Sequence, residues 1–154
     1  MNPRYLSFLL LAGLLGGTVH ANEAQHIQAR HAWIRVLPGA LPAGAYVTLE
    51  NRGDQHAALT GASSPAYAGV MLHQSSSAGG MERMAMVDEV TIPAHGTASL
   101  APAGYHLMLT NAVHTVKPGD TVRLSLKFSD GSTLPTDFVA RPANAVDGGD
   151  DHHH

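Results

Sequence analysis

The sequence predicts an all-β protein, a sandwich or small barrel of about eight to nine short, mostly antiparallel strands. Three observations lead there. Apolar residues recur at every second position in short runs, the period of a half-buried strand. The 154 residues include 16 Gly and 9 Pro, and many of these mark turns between those runs. No stretch carries a convincing amphipathic helical period, and only 81–90 could be misread as a turn or two of helix.

Residues 27–35 form the first expected strand, with Trp33 as its large apolar anchor. A loop with two prolines and two glycines follows over 37–44. The next strand, 45–50, places Ala45, Val47 and Leu49 on one face, and Asn51-Arg52-Gly53-Asp54 ends it as a turn. A third strand is expected over 56–62 and a fourth over 70–75. In the fourth, Met71, His73 and Ser75 share the face opposite Val70, Leu72 and Gln74. Ser76 to Gly80 lacks the composition of a strong strand and reads as a mobile loop. Short strands follow over 81–86, 90–93 and 97–100, then a turn at Ala101-Pro102-Ala103-Gly104. In the strand 105–110, Leu107 and Leu109 point one way and His106 and Met108 the other. The clearest strand is 121–128, where Val122, Leu124, Leu126 and Phe128 alternate with polar residues. Asp130-Gly131 turns the chain into a returning strand over 134–140.

Residues 1–21 read as a secretory signal. Arg4 supplies the positive end, 6–15 the short apolar run, and Val19-His20-Ala21 the cleavage site. The run is too short and Gly-rich to favour a permanent span, although an uncleaved anchor is the other reading. The chain has no cysteine, so there is neither a disulfide nor a lipid attachment point. The expected organisation is a signal peptide over 1–21, a β-sandwich domain over 22–143 and a flexible tail over 144–154. Loss of 1–21 removes Arg4 and leaves eight Lys or Arg against twelve Asp or Glu, a formal net charge of −4. No basic patch appears, which argues against a nucleic-acid partner. No later segment suits stable membrane insertion, and a monomer is expected.

Four soft side chains carry the chemistry: His73, Met84, His106 and Met108. Ten residues separate the first pair, twenty-one the middle pair and one the last. His106 and Met108 leave the same face of one strand about 7 Å apart, close enough to share an ion. His73 precedes the 76–80 loop and Met84 follows it, so closure of that loop would complete four ligands. Thioether sulfur and neutral imidazole suit Cu(I). Structural zinc sites use Cys and His, and a blue-copper centre needs a thiolate, so both are disfavoured. Met81 and Met86 are the substitutes if Met84 points inward. Lone Met and His residues are otherwise core filler and surface groups.

The spacing and its flanks resemble the periplasmic copper chaperones of the PCu(A)C family. Their pattern of His, ten residues, Met, twenty-one residues, His, one residue, Met is matched at His73, Met84, His106 and Met108. The stretches MERMAMVDEVTIPAHG, LAPAGYHLML, VKPGDTVRLSLKFSDG, AWIRVLPG and GAYVTLEN are also similar to that family, from about Gln28 to Val139. The resemblance implies a cupredoxin-like sandwich in the periplasm that binds Cu(I) through those four residues. It also implies delivery to the CuA centre of cytochrome c oxidase subunit II, with a Sco-type copper protein as a further partner. Some members carry a longer His- and Met-rich C-terminal extension for Cu(II). Asp150-Asp151-His152-His153-His154 is a shorter stretch of that kind and a candidate secondary Cu(II) site, which His26 and His31 could join. His56, His95 and His114 read as ordinary loop or surface histidines. Two alternatives remain, a copper store using the same ligands and a structural sandwich with incidental Met and His. An enzyme is not expected, since no Ser/His/Asp arrangement and no glycine-rich nucleotide motif occurs.

Overall fold

The computed structural model describes residues 22–146. The expected signal peptide and the terminal histidines lie outside the described residues. One short helix and ten strands make up the domain: α1 (Glu23–His26), β1 (Ile27–Arg35), β2 (Ala43–Asn51), β3 (Ala57–Ser63), β4 (Tyr67–Ala78), β5 (Met81–Met86), β6 (Val90–Ile92), β7 (Thr97–Leu100), β8 (Tyr105–Ala112), β9 (Thr121–Phe128) and β10 (Thr133–Arg141). The sheet runs β5-β4-β8-β2-β1-β10-β9-β3-β6, with β7 on β2. Every pair is antiparallel except β1 with β10. β5 and β6 stand at the two ends of this path, so the folded sheet is a sandwich and is not closed as a barrel. Among the described residues no helix is long and apolar enough to cross a membrane.

Alternation places one set of side chains between the layers. Ile34, Val47, Leu49, Leu59, Ile92, Leu107, Leu109, Leu124, Leu126, Phe128 and Phe138 are all buried there. β9 matches its expected bounds, and its four apolar residues are buried while Arg123 and Lys127 are exposed.

A short helix α1 was not expected, β2 begins at Ala43 inside the expected loop, β4 begins at Tyr67, and two further differences bear on the site. The 76–80 segment is not a loop. β4 continues to Ala78 and pairs Ser76 with Arg83 and Ser77 with Glu82, which leaves a two-residue turn at Gly79 and Gly80. Both glycines have positive φ, 63° and 78°, the conformation that a tight hairpin favours. Serine lacks strand-like hydrophobicity, but a ladder needs only backbone N–H and C=O groups. The second difference is in β1. Arg30 pairs with Thr48 and Trp33 with Tyr46, so one extra residue is inserted in β1. His31 takes a left-handed φ of 52° at this bulge. The insertion reverses the alternation: Ile34 enters the core opposite Ala45, and Trp33 turns to the outer face beside Tyr46. Trp33 is therefore buried, as a large apolar anchor should be, but on the outer face and outside the main core.

The N-terminal end is clasped to the β9–β10 hairpin. The Glu23 carboxylate accepts from Ser129 Oγ and from the backbone N–H groups of Asp130 and Ala58. Asp130 accepts in turn from the Glu23 N–H and from Ser132, and these bonds pull its pKa down to about 2, Ser132 having the largest effect.

At the same end of the sandwich, Asn51 is 1% exposed and acts as an internal staple. Its side-chain amide donates to the carbonyls of Gln55 (2.8 Å) and Ile92 (3.1 Å), and its oxygen accepts from Gly53 N (2.9 Å). Asn51→Ala removes three bonds and leaves the Ile92 carbonyl buried without this donor. The expected loss is about 2–4 kcal/mol in urea unfolding, with the slope unchanged.

Candidate metal centre

The four expected ligands lie on the outer face of the β5-β4-β8 sheet, held by register. His73 is directly opposite His106, and Met71 is directly opposite Met108. Across the hairpin, Met86 is opposite His73 and Met84 is opposite Ser75. Directly paired residues project to the same side of a sheet. The two histidines therefore form a central row. Met108 stands two residues to one side of that row, and Met84 two residues to the other. Leu72 and Leu107, on the opposite side of the same strands, are fixed in the core.

The two imidazoles lie close together. Their centroids are 5.7 Å apart in an edge-to-face orientation, a separation that one ion can bridge with metal–nitrogen bonds of about 2 Å. His106 is 5% exposed. Its Nδ1 lies 3.4 Å from the Gly104 carbonyl oxygen, to which the Nδ1–H tautomer donates. That tautomer leaves the lone pair on Nε2, oriented by the bond behind it. Nε2 of His106 and both ring nitrogens of His73 are buried, and none has a hydrogen-bond partner among the described residues. A buried polar atom left unpaired costs about 1–3 kcal/mol. Metal ligation would offset that cost, so the donor set fits a soft cation.

Met84, His106 and Met108 line one recess of about 460 Å³, together with Arg35 and Tyr46. Burial falls across the site, from His106 in the wall to Met84, which is 60% exposed. A larger groove of about 950 Å³ beside the 37–41 loop holds none of the four.

Three residues that the sequence reading did not assign to the site complete its wall. Tyr46 packs against His106 at 6.4 Å and against Trp33 at 4.7 Å. The Arg35 guanidinium sits 5.6 Å from both the Trp33 and the Tyr46 ring centroids and donates twice to the Ala145 carbonyl. Gly44 makes room for this wall, since a Cβ there would fall 2.7 Å from Tyr46 Oη. A signal was present in the alternation, because Tyr46 is an aromatic on the face opposite Ala45 and Val47. The bulge that turns Trp33 and Arg35 towards it had none. Of the proposed substitutes, Met86 shares the face of Met84, whereas Met81 falls on the other.

The profile of the LpqE-like family matches residues 27–140. The chain belongs to the LpqE-like family and has the PCuAC fold. Among relatives, the "Putative lipoprotein Lxx21020" of Leifsonia xyli subsp. xyli is 31% identical over 153 residues, 94% of this chain and 90% of that one. Among solved structures, the Cu(I) form of DR1885 from Deinococcus radiodurans is 37% identical, with a TM-score of 0.60, covering 77% of this chain and 78% of that one. The copper-bound PCuAC domain of PmoF2 is 22% identical, with a TM-score of 0.65 over 80% of this chain and 98% of that domain, and shares the fold.

Burial holds the His106 pKa below its ordinary 6.5; the Gly104 carbonyl opposes that shift and His73 adds to it. The unfolded chain therefore binds the proton first as pH falls. The contribution of His106 to stability is full above about pH 6.5, and is lost below that until the folded protein protonates too. In the metal-free LpqE-like domain, long-range ¹H–¹⁵N spectra should show His106 as the Nδ1–H tautomer with a midpoint below 6.5. Thermal unfolding should weaken from pH 7 to pH 5, and less so in His106→Gln. A His106 midpoint above 6.5 would contradict the buried environment.

Proposed function

We propose that this LpqE-like protein is a periplasmic Cu(I) carrier, with one ion held by His73, Met84, His106 and Met108. The observation that carries the reading is the pair of facing imidazoles with buried, unpartnered nitrogens beside two thioethers. Its likeness to the Cu(I) form of DR1885 supports the choice of ion. Membership of the LpqE-like family supports the periplasmic location expected from residues 1–21.

The geometry suits a carrier and needs no acid–base group. His106 and Met108 are fixed by the strand that buries Leu107 and Leu109, and they anchor the ion. Met84, on the exposed strand β5, is the ligand that a partner can displace. All four donors are neutral, so Cu(I) binds at neutral pH without burying a carboxylate or releasing a thiol proton. Release then proceeds by ligand exchange. We assign the recipient as the CuA centre of cytochrome c oxidase, reached with a Sco-type protein. The terminal Asp150-Asp151-His152-His153-His154 is a separate proposal for Cu(II), which favours nitrogen and oxygen donors.

Anaerobic Cu(I) titration against a competing chelator should find one tight site with mixed sulfur and nitrogen ligation by X-ray absorption. The His106→Ala, Met108→Ala double variant should bind at least about a hundredfold more weakly, about 2.8 kcal/mol. Unchanged affinity in that variant would sink the assignment. Transfer to a metal-free CuA domain or Sco-type protein separates a carrier from a store, which would retain its copper. For the tail, a chain ending at Gly149 should lose one Cu(II) equivalent while its Cu(I) affinity stays the same; retention of both equivalents removes the tail from consideration.

A further inference from the structure

The hairpin register brings a fifth soft donor to the same face. Met86 is the direct partner of His73, as His106 is on the other side of β4, so Met86, His73 and His106 form one continuous row across three strands. Met86 is 72% exposed and stands two residues from Met84 on the same face of β5, about 7 Å along the strand. All six residues of β5 are exposed, and β5 is an end strand of the sheet. A methionine that fills a core gap gains from packing; one on an open edge leaves a flexible thioether in solvent.

We propose that Met84 and Met86 form an outer Cu(I) position at the rim of β5, distinct from the inner position at His106 and Met108, with His73 shared between them. This rests on the Cu(I) reading of the site and adds a route into it. Cu(I) arrives on a donor with soft ligands. A bond to Met84 or Met86 forms as a donor bond breaks. The imidazole of His73, directly opposite Met86 and diagonal to Met84 in the ladder, then binds the ion as the last bond to the donor breaks. Bonds to His106 Nε2 and Met108 Sδ form as the bond to Met86 breaks. Copper stays Cu(I) throughout, and no electron or proton is exchanged, because thioethers and neutral imidazoles ligate without deprotonation. The same sequence reversed serves release. Met81, on the opposite face of the same strand, has no place in it and provides the control.

The test uses Met86→Leu, which nearly conserves volume at an exposed site, so the fold should be unaffected. Cu(I) affinity should stay within about threefold of the parent, because the inner ligands remain. The rate of Cu(I) transfer to bathocuproine disulfonate, followed by stopped-flow absorbance, should fall about tenfold, since a lost exchange ligand changes rates before equilibria. Met81→Leu should alter neither. In the parent chain labelled with [methyl-¹³C]methionine, substoichiometric Cu(I) should move the Met86 methyl resonance and leave that of Met81 in place. An unmoved Met86 resonance, or an unchanged transfer rate in Met86→Leu, overturns the outer position while the inner site stands. A loss of affinity as large as that of the His106/Met108 double variant also overturns it, because Met86 would then belong to the inner set. A parent chain that binds no Cu(I) instead takes down the proposed function itself.

Discussion

The pairing of β4 with β8 in a single register is the constraint on which the rest depends. Leu72 lies opposite Leu107, and Val70 opposite Leu109, on the core side. The same register sets His73 opposite His106 and Met71 opposite Met108 on the outer side. Because side chains alternate, the two outcomes cannot be separated. A slip of one residue would bring His106 and Met108 into the core and expose Leu107 and Leu109. Burying Leu72, Leu107 and Leu109 here, with Val70 partly buried beside them, is worth several kcal/mol, since each fully buried aliphatic side chain contributes about 1.5–3 kcal/mol. The hydrophobic effect thus positions the imidazoles without touching them. No hydrogen bond to His73 is needed to do so, and its nitrogens are left for another partner.

How much of this was legible depends on whether the controlling force is written into side-chain pattern. β9 was readable residue by residue, because Val122, Leu124, Leu126 and Phe128 alternate and the core takes all four. His106 and Met108 were readable on one face for the same reason. The twenty-one residues between Met84 and His106 span β6 and β7, and no local rule predicts that they return β8 to β4. There the family resemblance supplied what periodicity could not. The Ser76–Ala78 extension of β4 was hidden because backbone pairing holds it, and serine reports nothing about pairing. That matters for the site. The same hairpin ladder sets Met84 opposite Ser75 and Met86 opposite His73, where a mobile loop would leave both undetermined.

The β1 bulge was hidden for a different reason. Strict alternation from Ala29, which packs against the core, carries Trp33 and Arg35 inward. One extra residue at His31 sends them outward instead, and nothing in the composition of Arg30-His31-Ala32 marks an insertion. The consequence is chemical. Tyr46 packs beside His106, Trp33 backs Tyr46 in a tilted ring pair, and Arg35 over the two rings is fixed by two bonds to Ala145. A small tilted cluster on the outer face therefore does for His106 what the main core does for Leu107. It excludes water from an imidazole that, on the proposed copper reading, must remain neutral to ligate.

The gradient from wall to rim follows from what holds each donor. His106 sits on a central strand, between β4 and β2, with Tyr46 over it. Movement there would disrupt two ladders and an aromatic contact. Met84 sits on β5, which has one neighbour and no buried residue, so it can be displaced without exposing any core. A binding site gains affinity from the first arrangement, because the geometry is set before the ion arrives. It gains exchange from the second, because local opening of an edge strand costs far less than global unfolding. A site built wholly on β8 and β2 would hold its cargo but release it slowly, and one built wholly on β5 would scarcely hold it. On the proposed copper reading, placing the histidines on the two inner strands and the exposed Met84 on the edge divides these tasks between parts of one sheet that differ in stability.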